Sequence, residues 1–288
     1  MFTTSEYGFI EEEYTKLLDS KTKKPKVVSS RLFMIFAILI ILVLFSGIMK
    51  NEPWDLIVPI VGSIIFLILI IFLLISFKYT SEKPFYEYIV KKIIDKINYN
   101  LDLNIQQMEI VKTKYDFNSK GGIFTRFSST KVRMHLQGHS VHGKPFDLYE
   151  TILITSDGKT QTTHLNGVYI VTPSNENFYQ QIRTNGSPHL KGNKYDLIEK
   201  TDEFRNYLDK DTKMISVNDQ YVNLFKKLHQ SLGYKKAYMS IVEKEVHFAI
   251  QPVKLYEYKE LSFEKINEAY DEIKNLIELV DKLEINDF

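Results

Sequence analysis

The sequence has no cysteine among its 288 residues. The absence of thiols excludes disulfide scaffolds, zinc ribbons, iron–sulfur clusters, cysteine nucleophiles and a lipid carried on cysteine. Net charge is also nearly absent, because 37 Lys and Arg residues balance 36 Asp and Glu residues. A nucleic-acid-binding domain normally carries a basic excess, so we expect no nucleic-acid partner. No Gly-rich dinucleotide fingerprint follows a predicted strand, and we predict no cofactor.

Charged residues are missing from two long apolar segments in the first third of the chain. Residues 32–49 read LFMIFAILIILVLFSGIM, and residues 56–77 read LIVPIVGSIIFLILIIFLLISF. A helix rises about 1.5 Å per residue, so both segments are long enough for a hydrocarbon core of roughly 30 Å. Residues 50–55 leave only a short connection. We therefore predict a transmembrane hairpin over residues 32–77.

Basic residues on both sides of this hairpin predict its orientation. Because basic flanks remain in the cytoplasm, we expect a multi-pass protein of the inner (plasma) membrane with both termini cytoplasmic and the lipid bilayer as a partner. The side chains predicted to lie at the membrane interface are Lys21, Lys23, Lys24, Lys26, Arg31, Trp54 and Lys78.

The rest of the chain predicts a cytoplasmic N-terminal segment, 1–31, and a cytoplasmic domain, 78–288. Strand-like runs followed by helical patterns indicate an α+β fold with a mainly antiparallel sheet and packing helices, preceded by the transmembrane hairpin. The terminal heptads of residues 262–285 fit either a coiled coil or a helix that packs on the core. Strands are predicted at 108–115, 131–141, 146–155 and 167–172, a β-hairpin at 237–251 with its turn near Glu243-Lys244, and helices at 85–97, 202–208, 219–232 and 262–285.

Three of the seven histidines, His135, His139 and His142, fall within eight residues. On a helix the first two would share a face, as zinc ligands at that spacing do. Leu136 stands where a zinc peptidase needs its glutamate, and the neighbouring glycines disfavour a helix. The three histidines are weak candidates for a metal site, and we predict no metal.

The same region contains the clustered candidates for catalysis. Ser140 lies between His139 and His142, and Glu150 follows in the next strand-like run. The pattern GHSVHG resembles a nucleophile elbow, but its second glycine comes one residue too late. We assign no catalytic residue and keep a hydrolase-like site near residues 135–150 as an alternative.

Four segments carry a family resemblance. They are FDLYE at 146–150, LNGVYIV at 165–171, DEFRNYL at 202–208 and SVNDQ at 216–220. With two spans ahead of them, they resemble a bacterial family of two-pass membrane proteins of unknown function, often encoded near LemA-like membrane proteins. The resemblance would cover most of residues 30–260. It implies an architecture and transfers no active site, because the matching motifs are structural in character.

Three functions are compatible with these observations. The first is a membrane-anchored interaction or scaffold protein that faces the cytoplasm and binds another protein, with a homo-oligomer left open. The second is a membrane-tethered hydrolase with its site near residues 135–150. The third is a small oligomeric pore or membrane-stress protein, which the absence of ionisable residues in both apolar segments disfavours.

Overall fold

A computed structural model describes residues 1–17, 87–108, 123–124, 127–156, 159–175, 179–186, 195–209, 217–233, 236–242, 244–251 and 261–283. The chain divides into two compact units, residues 2–90 and residues 91–288, with Met1 grouped in the second. The larger unit contains a nine-stranded sheet with the strand order β1-β2-β3-β4-β9-β8-β5-β7-β6. Every neighbouring pair in this sheet is antiparallel.

Alternating or continuously apolar runs form the longer strands, as their sequence patterns predict. The helix predicted at 202–208 is wrong, because residues 205–209 form a strand that pairs with a neighbour on each side, and this pairing outweighs the local helical pattern. The strand predicted at 108–115 lies outside the described residues, apart from Met108. The hairpin between the eighth and ninth strands pairs Val242 with Glu245, which confirms the predicted two-residue turn. The strands are β1 (Gln106–Gln107), β2 (Ser129–His139), β3 (Pro145–Ser156), β4 (Gln161–Pro173), β5 (Gln180–Arg183), β6 (Tyr195–Lys200), β7 (Arg205–Asp209), β8 (Lys236–Val242) and β9 (Glu245–Gln251).

The two faces of the sheet differ in chemistry. Since paired residues on antiparallel strands point to the same side, cross-strand rows identify each face. The apolar face carries a fully buried row of Leu148, Ile170, Phe248, Met239 and Ile182. The mixed face carries two parallel rows that combine aromatic and polar side chains. These rows are His135, Tyr149, Tyr169, Ala249, Tyr238, Arg183 and Arg205, and Gln137, Asp147, Val171, His247, Ser240, Gln181 and Tyr207.

Much of the mixed face is itself a core. Ile123 and Phe124 are buried in one cluster with Tyr149, Tyr169 and other side chains of this face. The Phe124 and Tyr238 rings meet edge-on, with 5.1 Å between their centroids. Several polar side chains of this face, such as Gln181, Ser240 and His247, are fully buried, so their partners within the protein matter for stability.

Close approach of strands β4 and β9 requires a glycine at position 167. A Cβ atom added to Gly167 would lie 2.1 Å from the carbonyl oxygen of Ile250, which belongs to the backbone of the neighbouring strand. No real Cβ is found that close to a backbone atom, and the strand cannot move aside as a side chain could. The Gly167 position thus explains a glycine in the middle of a β4 run that is otherwise rich in β-branched residues.

The helices are α1 (4–17), α2 (87–101), α3 (Val217–Leu232) and α4 (Phe263–Lys282). Helix α4 begins at the N-cap Ser262, whose hydroxyl accepts a hydrogen bond from the Lys265 N–H at 3.3 Å. Its apolar stripe is buried, from Ile266 to Val280. The terminal heptads therefore serve core packing within this chain. Asn100 of α2 also donates to the Tyr270 hydroxyl of α4 at 2.9 Å.

In the smaller unit, α1 opens with a capping box. The Thr3 hydroxyl accepts from the Glu6 N–H at 3.3 Å, and the Glu6 carboxylate accepts from the Thr3 N–H at 2.8 Å. Further along, Glu13 accepts a hydrogen bond from the Tyr88 hydroxyl at 2.7 Å, and burial together with this carboxylate raises the pKa of Tyr88.

The predicted membrane architecture requires a correction. Across the part of the chain that the structure describes, no helix is both long enough and apolar enough to cross a membrane. Even α4, with 20 residues, carries charged side chains along its length, including Glu264, Lys265 and Asp271. The described fold is mostly an antiparallel sheet with few helices. This finding contradicts the fold class built on a transmembrane hairpin and the multi-pass membrane location. The segments 32–49 and 56–77 themselves lie outside the described residues.

Candidate functional site

A cleft of about 380 Å³ opens at one end of the sheet, where strands β2, β3, β4 and β9 meet the short β1. Its lining combines amide, carboxylate and apolar groups. The contributing residues lie on five strands and on the loop before β1, so no short sequence motif encodes the site. The lining residues are Asn104, Gln106, Gln137, Gly138, His139, Pro145, Phe146, Asp147, Val171, Pro173 and Glu245.

The first carboxylate of the cleft, Asp147, is held by His135. The His135 Nε2 atom lies 2.7 Å from Asp147 Oδ1, and a carboxylate oxygen here accepts from the ring N–H. The imidazole also stacks on the Tyr149 ring, with 4.2 Å between centroids and 17° between planes. Stacking and hydrogen bonding together fix the ring, so the Asp147 carboxylate has a defined orientation beside the cleft.

The second carboxylate, Glu245, ends a chain of polar groups that leads into the buried mixed face. The Tyr169 hydroxyl and His247 Nδ1 share a hydrogen bond of 3.1 Å, and both residues are fully buried. On the other side of the ring, His247 Nε2 lies 3.2 Å from Glu245 Oε2, which is close enough for an ion pair. Among the described residues, however, no acceptor or donor is oriented to form a hydrogen bond with this nitrogen. The arrangement places a histidine behind each carboxylate of the cleft.

Ser140 does not lie in a catalytic arrangement. Its hydroxyl, almost fully buried, donates to the Asp281 carboxylate of α4, which also accepts from the His142 backbone N–H at 3.3 Å. The His142 Nδ1 atom lies 3.3 Å from the other carboxylate oxygen. In a hydrolytic triad a histidine stands between the serine and the acid, whereas here the carboxylate contacts both. These contacts attach the β2–β3 turn to the end of α4.

Glu150 lies on the opposite face of the sheet from the cleft. Its side chain is buried and accepts a hydrogen bond from Arg133 Nη1 at 3.3 Å. Nearby in α4, burial and, to a smaller extent, the charges of Glu150 and Glu268 raise the pKa of Glu272 to about 7. The structure thus does not bring Glu150 together with His139, as the hydrolase alternative would need.

The three histidines considered for metal binding are separated. His135 pairs with Tyr149 across the sheet and His139 with Pro145, whereas His142 lies in the turn beside Asp281. Within the described residues, no group of three or more His, Asp and Glu side chains is arranged to hold a metal ion. The predicted membrane-interface residues lie outside the described part of the chain. They are Lys21, Lys23, Lys24, Lys26, Arg31, Trp54 and Lys78.

Arg183 is a buried cation that the sequence pattern did not reveal. Its guanidinium donates to the carbonyl oxygen of Ile123 at 3.2 Å and to that of Asn185 at 3.3 Å, and it lies 5.1 Å from the centroid of the Tyr238 ring. Burial lowers the pKa of Arg183. Carbonyl oxygens and an aromatic face are suitable partners for a buried guanidinium. Through its hydrogen bond to the Ile123 carbonyl oxygen, Arg183 connects the segment that contains Ile123 to the mixed face.

No protein-family description matches the chain, and no curated protein matches it. The fold is weakly similar to the crystal structure of the mycobacterial trehalose monomycolate transport factor A, TtfA, with a TM-score of 0.34 and 10% identity. That match covers 63% of this chain and 90% of the other. A likeness at this level supports no conclusion about function, and the resemblance to a two-pass membrane family stays a prediction.

Proposed function

We propose that the sheet domain is a protein-interaction module that binds an extended segment of a partner protein in the cleft. The observation that carries this proposal is the composition of the lining. Side-chain amides from Asn104, Gln106 and Gln137 stand beside the apolar surfaces of Val171 and of two prolines. An extended polypeptide needs both kinds of group, because its backbone requires hydrogen-bond partners and its side chains require apolar contacts.

The geometry of the site supports binding without chemistry at Ser140 or Glu150. The Ser140 hydroxyl is engaged by Asp281, and Glu150 lies on the other face with Arg133. Hydrogen-bonded strands supply most of the lining, so we expect the cleft to be formed before a partner arrives. Preformed sites lose less conformational entropy on binding than sites that must be ordered first.

Site-specific photocrosslinking of the full-length protein in its native cells tests the proposal. A benzoylphenylalanine at position 137, an exposed residue of the cleft, should crosslink one partner, and the same group at the exposed position 275 of α4 should not. A synthetic peptide that spans the crosslinked stretch of the partner should then compete with the purified partner for this chain. Equal crosslinking at positions 137 and 275, or a peptide that does not compete, would contradict the proposal.

A further inference from the structure

We propose that the cleft selects a partner segment through a Lys or Arg side chain, which inserts between Asp147 and Glu245. This inference rests on the proposed function and adds the chemistry of the bound residue. Among the described residues that line the cleft, the formal charges are two carboxylates, and no lysine or arginine is present. The chain as a whole is nearly neutral, so the negative charge of the cleft is a local feature.

The two carboxylates lie on the mixed face at different strands. Asp147 is in β3, and Glu245 begins β9, with β4 between these strands. The rows Asp147–Val171–His247 and Pro173–Glu245 place the carboxylates in adjacent rows, on either side of the apolar side chains of β4. A long aliphatic stem with a cationic end fits this surface, because the stem packs on Val171 and Pro173 while the charge meets the carboxylates.

The histidines behind the carboxylates strengthen the argument. The Asp147 carboxylate is oriented by its hydrogen bond from His135, and Glu245 lies against the fully buried His247. An oriented carboxylate loses little freedom when a cation binds, so the charge pair forms at a smaller entropic cost than between two mobile surface side chains.

The cleft lining also disfavours a partner segment with acidic side chains. An acidic segment would bring like charges against the Asp147 and Glu245 carboxylates. Juxtaposed like charges weaken an interface and so contribute to specificity.

Fluorescence anisotropy of the full-length protein with a fluorescein-labelled pentalysine peptide tests the inference, with labelled pentaglutamate as the comparison peptide. We expect pentalysine to bind and pentaglutamate not to bind. The double variant Asp147→Asn and Glu245→Gln should weaken pentalysine binding about tenfold or more, because two cleft charges are removed. The double variant Glu264→Gln and Glu278→Gln, which removes the same charge from α4, should change binding less than about twofold.

A second pair of variants leaves both carboxylates in place. Gln137→Lys adds a cation at an exposed position of the cleft, and Asn275→Lys adds the same charge on exposed α4. Only the first should weaken pentalysine binding. Equal effects of the two lysine variants, or no pentalysine binding by the wild type, would overturn the inference. Crosslinking at position 137 could still identify a partner whose peptide competes for binding. In that case the proposed interaction module would be supported, and only the preference for a cationic side chain would be contradicted.

Discussion

Glu272 offers a direct test of the packing between α4 and the sheet, because its ionisation should destabilise the folded protein. Burial and the nearby Glu150 and Glu268 raise the pKa of Glu272 from 4.5 to about 7. Between these two pH values the folded protein binds more protons than the unfolded chain. Stability should therefore fall as the pH rises from about 4.5 through 7, and level off above that.

The size of this effect follows from the two pKa values. A difference of about 2.5 between them corresponds to an upper limit of about 3.4 kcal/mol, at 1.36 kcal/mol for each unit. The Glu272 side chain is only partly buried, so water screens its charge, and we expect about 1–2 kcal/mol. The substitution Glu272→Gln keeps the shape of the side chain and removes the ionisation. At pH 8 it should raise the free energy of unfolding by this amount, and at pH 4.5 it should have almost no effect.

Urea unfolding of the full-length protein between pH 4.5 and 8.5 measures this difference. The matched control is Glu278→Gln on the same helix, where the carboxylate forms an i,i+4 pair with Lys274 at 3.4 Å. Such a surface pair contributes only a few tenths of a kcal/mol, and its loss should not reproduce the Glu272→Gln profile. A stability difference for Glu272→Gln that does not change with pH, or a loss of stability at pH 8, would refute the reasoning.

Two further substitutions test the sheet and the turn. Gly167→Ala should destabilise the fold by about 3 kcal/mol or more, measured by urea unfolding, because its Cβ would collide with the Ile250 carbonyl oxygen; Gly8→Ala, where nothing lies within 4 Å, should be neutral or slightly stabilising, and equal effects would contradict the argument. Asp281→Ala should cost about 1–3 kcal/mol, because the buried Ser140 hydroxyl loses its acceptor. In a double-mutant cycle, adding Ser140→Ala should recover part of that loss, and strictly additive effects would show that the two residues are not coupled.

The candidate site was only partly accessible from the sequence. The His135–Glu150 region contributes His139, Pro145 and Asp147 to the lining of the cleft. The hydrolase chemistry suggested for this region stays a prediction, and the structure shows the Ser140 hydroxyl on Asp281 and the Glu150 carboxylate on Arg133. Which residues of different strands lie next to each other on one face depends on the strand register, and the spacing of residues along one strand does not give that register.

The sequence around the cleft residues of distant strands contains no motif that predicts a site. Glu245 and His247 lie in a run that predicts a strand, and alternation indicates only that they point to the same side. The contact between His247 and Tyr169 follows from the antiparallel pairing of β4 with β9, which joins segments about eighty residues apart. Arg183 is similar, since a polar four-residue strand gives no indication that it will be buried.

The sequence by itself determined the local features of this protein. Alternating apolar residues specified strands. The N-cap Ser262 and the apolar stripe that follows it specified α4. The lack of cysteine excluded disulfides and cysteine-based metal or catalytic sites. Only the tertiary structure decided which strands are neighbours, which face is covered and where the carboxylates of the cleft meet. The physical reason is that local conformation follows from the chemistry of adjacent residues, whereas strand order and burial follow from contacts between residues far apart in the chain.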